Sequence, residues 1–598
     1  MTTKKTILII IGALITIGII AFAFIPLKNP ELLNNCGDGI CEAKEKANPK
    51  LCLRDCNISS QIETCGPNDK GYGINFREKC KMDHEGIGPD NCKAGRSAEC
   101  CTPVEKQDSF STKNSSELSY SFGVHPSSMD DYAYAKDLGI DFNREGNYFI
   151  WNWVDINKNG NFKFKGATAP PHPDKPNSGG TINYDKEQER LSKVANITVM
   201  RNVCPFRGGS ALKDEFRNTE EQEIYQEFVK KLVERYDGDS DLGCTQNAPD
   251  CYNIGDGEYP SQSFINTMQA NPIKYWQVCN QVTDTCSGRE CKDNNSYAIK
   301  YAKVQELTYL GVKTSCPECQ VLIAGDSHKE MYPPVYEALG GKYVDIIDKH
   351  FFGEADDYTN IQDEMAYLKD SLQNNGFNLD ELNFWITETG TYSGDPIEDK
   401  GMIEKGLLPL PHQSETQQAQ GLVKRYTVAF GEGIEKVLWA WGIIEGFGCD
   451  CCIFDYTGLI YDGNREPQIC DINDPYDCGD GVKKLAYYSF KFMIDKIGGF
   501  ANIETVQDSG NYVYKFTKNN KPVYVAWNDN GGSITLTGID SDSVKITEAI
   551  PNAESGADLN ANDYLNFFKT EIKSISNGQI TITLGENPVF IEEHQYKA

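Results

Sequence analysis

The middle of the chain alternates short apolar runs with amphipathic helical segments. Each run is rich in β-branched residues and stops at a polar side chain or a turn former, which is typical of a buried parallel strand. Between the runs, apolar residues recur on one helix face, as from Glu221 to Tyr236, where Asp237-Gly238 ends the segment. The pattern predicts eight strands, at residues 120–124, 140–144, 197–203, 272–280, 320–324, 344–350, 384–388 and 436–441. Such alternation predicts an α/β fold, a (β/α)8 or TIM barrel over residues 111–500.

The pattern changes after a last helical segment at residues 483–497. From there on, short stretches alternate apolar and polar residues with a period of two, and turn formers separate them. Six strands are predicted here, at residues 512–517, 523–527, 533–536, 544–547, 579–584 and 589–592. They predict a carboxyl-terminal antiparallel β-sandwich over residues 501–598. We expect this sandwich to brace the barrel, with carbohydrate binding as the alternative role.

An almost wholly apolar run, Ile7 to Leu27, follows a short basic start. About 20 apolar residues suffice to span a bilayer, and the preceding lysines favour an amino terminus left in the cytoplasm. We therefore predict an N-terminal membrane anchor over residues 1–30, with the remaining domains outside the cell. The alternative is a secreted protein, because Ala21-Phe22-Ala23 resembles a signal-peptide cleavage site.

Cysteines are concentrated close to this run. The chain has 22 of them, and nine lie between Cys36 and Cys101. That density predicts a Cys-rich disulfide module and linker over residues 31–110, in an oxidising compartment. Acidic residues in the module leave a calcium site as an alternative to a plain disulfide knot. Cys316 and Cys319 have the spacing of a zinc or redox motif, but outside the cytosol we expect a structural disulfide.

Charge narrows the choice of partners. The net charge of −29 argues against nucleic acid as a partner, because nucleic-acid binding requires basic patches. It indicates a soluble, self-repelling part outside the membrane. We expect neither a cofactor nor a metal in the barrel.

Two of the predicted strands end in side chains that have no packing role there. Glu388 follows the apolar run Phe384 to Thr387, and Asn280 and Gln281 follow the strand that starts at residue 272. A parallel barrel brings the carboxyl ends of all its strands to one face, where catalytic groups lie. We therefore expect Glu388 and Gln281 to face each other at that end.

Four motifs, in this order and spacing, carry a family resemblance. They are Gly139-Ile140-Asp141-Phe142-Asn143-Arg144-Glu145, Tyr275-Trp276-Gln277-Val278-Cys279-Asn280-Gln281, Asp345-Ile346-Ile347-Asp348-Lys349-His350-Phe351 and Trp385-Ile386-Thr387-Glu388-Thr389-Gly390. The chain from about Leu118 to Glu592 resembles clan A glycoside hydrolases, and among these the families with an appended β-sandwich, such as family 39. The resemblance implies a carbohydrate partner, an oligosaccharide or glycan.

The resemblance also implies roles for individual residues. Glu388 corresponds to the nucleophile of a retaining mechanism. Asn280 would hold the 2-hydroxyl group of the sugar, and Arg144 and His350 would orient Glu388. Gln281 stands where these enzymes have the glutamate that serves as acid and base.

The glutamine at this position changes the expected chemistry. A retaining mechanism needs two carboxyl groups roughly 5 Å apart, one to attack and one to transfer protons. An amide transfers none, so Asp284, Glu145 and Glu445 are the candidates for a substitute acid. Plant myrosinases, which belong to the same clan, carry the same Asn-Gln pair and act on thioglucosides whose leaving groups need no protonation.

Further candidates for substrate contact lie near the ends of the first, second and last barrel strands. Flat side chains at the mouth of a barrel could stack on sugar rings, and packing in the barrel core is the alternative for each of them. The predicted substrate-binding residues besides Asn280, Arg144 and His350 are His125, Trp151, Trp439 and Trp441.

Two functions from different classes follow. The first is a membrane-anchored glycosidase or transglycosidase with an impaired acid/base position, supported by Glu388. The second is a catalytically inactive glycan-binding or adhesion protein on a hydrolase scaffold, supported by Gln281, the anchor and the Cys-rich module.

Overall fold

The structure of the protein is a computed structural model. It describes residues 120–125, 131–170, 179–193, 197–206, 216–238, 262–281, 296–329, 332–394, 410–445, 453–462, 481–560 and 562–595. The predicted anchor (1–30) and Cys-rich module (31–110) lie outside these ranges. Among the helices in these ranges, none combines the length and the hydropathy that a membrane span requires.

Eight parallel strands form a closed barrel, as the alternation of the sequence predicts. They are β1 (Ser121–Val124), β2 (Phe142–Arg144), β3 (Thr198–Cys204), β4 (Tyr275–Val278), β5 (Gln320–Leu322), β6 (Ile346–Phe352), β7 (Asn383–Gly390) and β8 (Lys436–Trp439). Each strand pairs in parallel with the next one along the chain, and β8 pairs with β1, which closes the sheet. All strands therefore present their carboxyl ends at one face, the mouth of the barrel.

In the described ranges, nine helices of eight or more residues connect the strands of the barrel or follow its last strand. They are α1 (Asp131–Leu138), α2 (Tyr184–Ser192), α3 (Thr219–Tyr236), α4 (Gln262–Ala270), α5 (Ser296–Ser315), α6 (Tyr332–Leu339), α7 (Asn360–Asn374), α8 (Glu415–Gly431) and α9 (Leu485–Ile497). Shorter elements lie between β2 and β3: a strand at Phe149–Ile150 beside β3, a turn of helix at Trp151–Val154, and a hairpin of Ala167–Ala169 with Gly180–Ile182.

The ends of α3 illustrate how the sequence sets these boundaries. The side chain of Asn218 accepts a hydrogen bond from the backbone N–H of Glu221 at 2.9 Å and so caps the first turn. The helix ends at Tyr236, and Gly238 takes a φ of +70°. A Cβ at Gly238 would lie 2.3 Å from the carbonyl oxygen of Met268, so this position requires glycine.

The interior of the barrel has an apolar layer beneath its mouth. Six strands, β2, β3 and β5 to β8, each contribute one buried residue to it: Phe142, Met200, Leu322, Ile346, Trp385 and Leu438. Such a layer fills the barrel as a packed core rather than a pore. Two residues further along four of these strands, the buried residues are polar: Arg144, Asn202, Asp348 and Thr387.

The carboxyl-terminal part contains eight strands, β9 (Asn502–Ser509), β10 (Asn511–Lys518), β11 (Lys521–Trp527), β12 (Gly532–Thr537), β13 (Ser543–Glu548), β14 (Thr570–Ser574), β15 (Gln579–Leu584) and β16 (Val589–His594). Six form an antiparallel sheet in the order β9-β10-β11-β16-β13-β14, and β12 pairs with β15. Apolar residues of both sheets, such as Val513 and Ile582, share one buried cluster. The two sheets therefore pack as a sandwich.

A buried carboxylate joins barrel and sandwich. Glu415, at the start of α8, accepts hydrogen bonds from Ser555 Oγ at 2.6 Å and from the backbone N–H of Gly556 at 2.8 Å, both in the sandwich. It also accepts from the backbone N–H of Leu485 at 2.7 Å and from the Tyr461 hydroxyl at 3.1 Å. One side chain thus satisfies four donors from three parts of the chain and connects the barrel to the sandwich.

Replacing Glu415 with alanine should lower the free energy of unfolding by about 3 kcal/mol or more, because each donor left buried without an acceptor costs about 1–3 kcal/mol. Urea unfolding followed by circular dichroism measures the loss. Glu504→Ala is the control, since Glu504 pairs with Lys515 at the surface, where such a pair is worth at most about 1 kcal/mol. Equal losses for the two variants would contradict the assigned role of Glu415.

Candidate active site

A polar cluster occupies the mouth of the barrel, directly above the apolar layer. Glu388 lies near the carboxyl end of β7, and its side chain is fully buried. Arg144 at the end of β2 and His350 on β6 are buried beside it, and Asn280 follows β4. The structure thus brings together four of the predicted site residues.

Arg144 links the strands of this cluster. One guanidinium nitrogen donates to Oε1 of Glu388, and a second donates to Oδ1 of Asn280 at 2.6 Å. Its Nε donates to Oε1 of Gln277 at 2.7 Å. Burial alone would lower the pKa of Arg144, but the charges of Glu388 and of Asp348 raise it above its usual value. The cation is therefore permanent and holds the Glu388 carboxylate in place.

The second carboxylate oxygen of Glu388 has a different environment. Oε2 lies 3.2 Å from Nδ1 of His350, but the two atoms do not meet the geometry of a hydrogen bond. Among the described residues, Oε2 has no hydrogen-bond donor. A carboxylate that is fixed through one oxygen and leaves the other without a donor is suited to attack an electrophilic carbon.

A further set of buried side chains supports this arrangement from below. Asp348 on β6 accepts hydrogen bonds from the backbone N–H of Thr387 at 2.9 Å, from the Thr387 hydroxyl at 2.6 Å and from the Gln277 amide. Its Oδ2 lies 3.7 Å from Nε2 of His350. Gly325 allows His350 to come this close to β5, since a Cβ at Gly325 would lie 2.2 Å from Nε2 of His350.

Three of these supporting residues were not predicted as site residues from the sequence: Gln277, Asp348 and Thr387. The sequence offers one signal for them, since each is a polar residue within an otherwise apolar strand. A buried polar side chain requires a partner, so such a residue indicates a polar cluster. Tyr148 was missed as well. Its pKa is raised to about 12, because burial and the Glu388 charge outweigh the effect of Arg144, and its side chain is in hydrogen-bonding reach of Asn202 and Arg144.

Gln281 lies at the same face of the barrel as Glu388. Its backbone N–H donates to the carbonyl of Gly325 at 2.9 Å, next to β5. Both Gln281 and Cys279 have positive φ, of 40° and 58°, so the chain turns sharply as it leaves β4. The turn sets Asn280 against Arg144 and puts an amide, rather than a carboxyl group, at the following position.

Two of the candidate substitute acids, Glu145 and Glu445, are engaged by other side chains. Glu145 accepts a hydrogen bond from the Tyr132 hydroxyl at 3.1 Å. Glu445 is paired with the fully buried Lys484, which also donates to Ser393 Oγ at 2.9 Å. Asp284 lies outside the described residues. In the described ranges, no group of three or more His, Cys, Asp or Glu side chains is arranged to hold a metal ion.

The predicted aromatic contacts divide between core and mouth. Trp151 is fully buried and packs against Phe206 and Tyr225, so it belongs to the core. Trp439 is also fully buried, and its Nε1 donates to the carbonyl of Thr457 at 2.9 Å. Both tryptophans therefore lie in the core, which was the alternative to substrate contact. Trp441 is half-buried at the mouth, two residues beyond the end of β8.

His125 lies at the mouth beside Trp441, and their ring centroids are 4.4 Å apart. It is buried, and neither of its ring nitrogens has a hydrogen-bond partner among the described residues. Burial lowers the pKa of His125 well below 6.5, and the charges of Arg144 and His350 lower it further. A neutral imidazole with unsatisfied nitrogens beside an aromatic ring is suited to bind a sugar hydroxyl.

This histidine should also make folding pH-dependent. Below pH 6.5 the unfolded chain binds a proton at His125 that the folded protein does not bind. Above pH 6.5 this histidine therefore leaves the free energy of unfolding unchanged, and below pH 6.5 it lowers that free energy as the pH falls. The slope is at most about 1.4 kcal/mol per pH unit. Urea unfolding between pH 5 and 8 should show a shallower loss of stability for His125→Gln than for the wild type. Parallel pH profiles would contradict the neutral state.

No protein-family model and no curated protein matches the chain. Comparison with solved structures returns glycoside hydrolases. A family 39 glycoside hydrolase from the gut symbiont Bacteroides cellulosilyticus WH2 is 13% identical, over 80% of this chain and 82% of that one, with a TM-score of 0.46. An α-L-arabinofuranosidase from Thermotoga maritima is 11% identical, over 80% and 97% of the two chains, with a TM-score of 0.44. A GH30 endoxylanase from Clostridium papyrosolvens C71 is 13% identical over 80% and 97%, with a TM-score of 0.42.

These neighbours are enzymes of the class that the sequence motifs resemble. The chain is thus similar to glycoside hydrolases of families 39 and 30 and to an arabinofuranosidase.

Proposed function

We propose that the chain is a retaining glycosidase-like enzyme that transfers sugars from donors with good leaving groups, with Glu388 as its nucleophile. The observation that carries this proposal is the asymmetric environment of the Glu388 carboxylate. Arg144 holds Oε1, whereas Oε2 has no hydrogen-bond donor in the described part of the chain. Oε2 is therefore the oxygen that attacks the anomeric carbon.

The neighbouring side chains would divide the remaining work. Arg144 holds the Glu388 carboxyl group in place through a charge-assisted hydrogen bond to Oε1. Asn280 accepts from Arg144 through its Oδ1, which leaves its amide N–H groups to donate to the sugar 2-hydroxyl. His125 and Trp441 would contact the sugar ring from the side of β1 and β8.

Gln281 limits the donors that the site can use. General acid/base catalysis contributes about 10²–10⁴-fold, and an amide supplies none of it. The leaving group must therefore depart as a stable anion without taking a proton. Since the amide of Gln281 cannot activate water in the second step, the glycosyl-enzyme should accumulate or pass its sugar to an acceptor that needs no deprotonation.

The second candidate function is glycan binding without catalysis. Gln281 favours it, because an amide at this position could hold a sugar hydroxyl but not cleave a glycosidic bond. In that case the polar cluster at the mouth would serve as a binding site for an oligosaccharide or glycan.

We further propose that the protein is anchored in the cell membrane by its amino-terminal apolar run, with the barrel and sandwich outside the cell. Secretion after signal cleavage is the alternative. Support comes from the run Ile7 to Leu27 and from disulfides within the barrel, Cys204–Cys279 and Cys316–Cys319, since such bonds persist in oxidising compartments.

A panel of 2,4-dinitrophenyl glycosides with intact-mass detection tests the proposed chemistry. We expect one of the sugars to add its glycosyl mass to the protein, and peptide mapping to place the adduct on Glu388. Azide, an acceptor that needs no deprotonation, should release the adduct and restore turnover. If no sugar labels Glu388 while a glycan array still shows binding, the binding function replaces the enzymatic one.

A further inference from the structure

A buried disulfide lies directly beside the proposed site. It joins Cys204, the last residue of β3, to Cys279, the first residue after β4, and both are about 1% exposed. The two cysteines are 75 residues apart in the sequence. Asn280 and Gln281 follow Cys279 without an intervening residue, so the crosslink fixes the start of the segment that carries them.

The disulfide lies directly after the last paired residues of β3 and β4. Their parallel register runs through Arg201 with Trp276 and stops at Val203 with Val278. Cys204 and Cys279 are the next pair in that register. The disulfide therefore continues the pairing by one residue, at the point where the chain leaves the strand.

The segment that follows, residues 279–281, has a backbone conformation that is unfavourable for residues other than glycine. Cys279 and Gln281 have φ of 58° and 40°, the left-handed region in which a Cβ crowds the backbone. Such a conformation persists only where its surroundings hold it. Two backbone hydrogen bonds contribute, from Cys279 N–H to the carbonyl of Val203 and from Gln281 N–H to the carbonyl of Gly325, both at 2.9 Å.

We propose that the Cys204–Cys279 disulfide is a positioning element of the site, which holds residues 279–281 so that Asn280 meets Arg144 and the sugar. Its catalytic consequence rests on the function proposed above, whereas its effect on the backbone does not. The disulfide touches no reacting atom. It acts through Asn280, whose Oδ1 accepts from Arg144 at 2.6 Å.

The chain provides a matched control. Cys316 and Cys319 form the other disulfide in the described ranges, and both are also buried. They precede β5 and so lie at the opposite end of the barrel from the mouth. The variant Cys204→Ala/Cys279→Ala is therefore compared with Cys316→Ala/Cys319→Ala, each as the full-length exported protein and well below its own melting temperature.

The first readout is independent of catalysis. Peptide mapping of the wild type should recover Cys204 linked to Cys279, and free thiols at both would overturn the proposal. In hydrogen exchange resolved to single amides, the N–H groups of residues 279 and 281 should exchange at least about 10-fold faster in the Cys204→Ala/Cys279→Ala variant than in the wild type, because local opening of the backbone becomes easier. The control variant should leave them unchanged. Unchanged protection in the Cys204 and Cys279 variant would also overturn the proposal.

The second readout is the rate at which the dinitrophenyl donor labels Glu388. Misplacement of about 1 Å costs up to about 10²-fold in rate, so we expect a loss of that order for the Cys204 and Cys279 variant and little for the control. In an Asn280→Ala background, removal of the disulfide should cost nothing further. Additive losses would show that it does not act through Asn280. If the wild type is never labelled, the proposed function fails and the hydrogen exchange alone decides the positioning.

Discussion

Replacing Gln281 with glutamate should raise the turnover of unactivated glycosides by about 10²–10⁴-fold, the usual contribution of general acid/base catalysis. Gln281 lies at the end of β4, and the preceding Asn280 shares Arg144 with Glu388. A carboxyl group at this position can protonate the leaving oxygen in the first step and activate water in the second. Steady-state kinetics on aryl glycosides whose leaving groups span a range of pKa values measures the gain, which should be largest for the poorest leaving group.

Two matched variants test whether another carboxyl group already acts as the general acid in place of Gln281. Glu145→Gln and Glu445→Gln each remove a carboxylate near the mouth that already has a partner in the structure, Tyr132 or Lys484. We expect neither change to lower the labelling of Glu388 by activated donors. If either variant turns over unactivated glycosides more slowly than the wild type, the replaced residue supplies the proton. In that case Gln281→Glu should raise the turnover only slightly. A Gln281→Glu variant that folds, binds glycans and gains no activity would favour the binding function.

Replacing Glu388 with glutamine should abolish both the covalent adduct and turnover, with a loss on the order of 10⁴–10⁶-fold, as for other residues of a catalytic unit. The amide keeps the shape of the side chain but cannot attack as an anion. Intact-mass spectrometry with the best donor of the panel measures the first effect, and release of dinitrophenol measures the second.

The control for Glu388 must share its burial without sharing its position. Glu415 is also a buried carboxylate, but it lies between the barrel and the sandwich. Glu415→Gln, assayed at a temperature where it remains folded, should retain labelling of Glu388. Retained labelling in Glu388→Gln, or a glycosyl mass on another residue, would mean that the nucleophile is assigned wrongly.

Much of the barrel could be predicted because strand and helix patterns alternate along the sequence. Apolar runs of strand length that stop at polar residues located all eight strands, and the parallel direction followed from the helices between them. The face that holds the site follows from the same pattern, since Glu388 lies near the end of its strand, Arg144 ends one and Asn280 follows one. The observed strand boundaries differ from the predicted ones by a few residues: β7, predicted at 384–388, spans Asn383–Gly390.

The direction in which each side chain points required the tertiary structure. Trp385 belongs to the apolar layer inside the barrel, and a strict period of two would turn Glu388, three residues later, to the outside. The pairing of β7 with β6 is irregular between these residues, which brings Glu388 inward as well. Likewise, Leu438 fills the interior, and its neighbour Trp439 points into the core outside the barrel.

The sequence by itself thus determined the order of the elements, the end of the barrel that carries the chemistry, and the amide at Gln281. These depend on local periodicity and on residue identity, which a single chain displays directly. Only the tertiary structure decided that Arg144 bridges Glu388 and Asn280, that Asp348 supports His350 from below, and that Trp151 is core. Such contacts join residues up to 244 positions apart, and the sequence carries no local signal of which buried polar groups will satisfy one another.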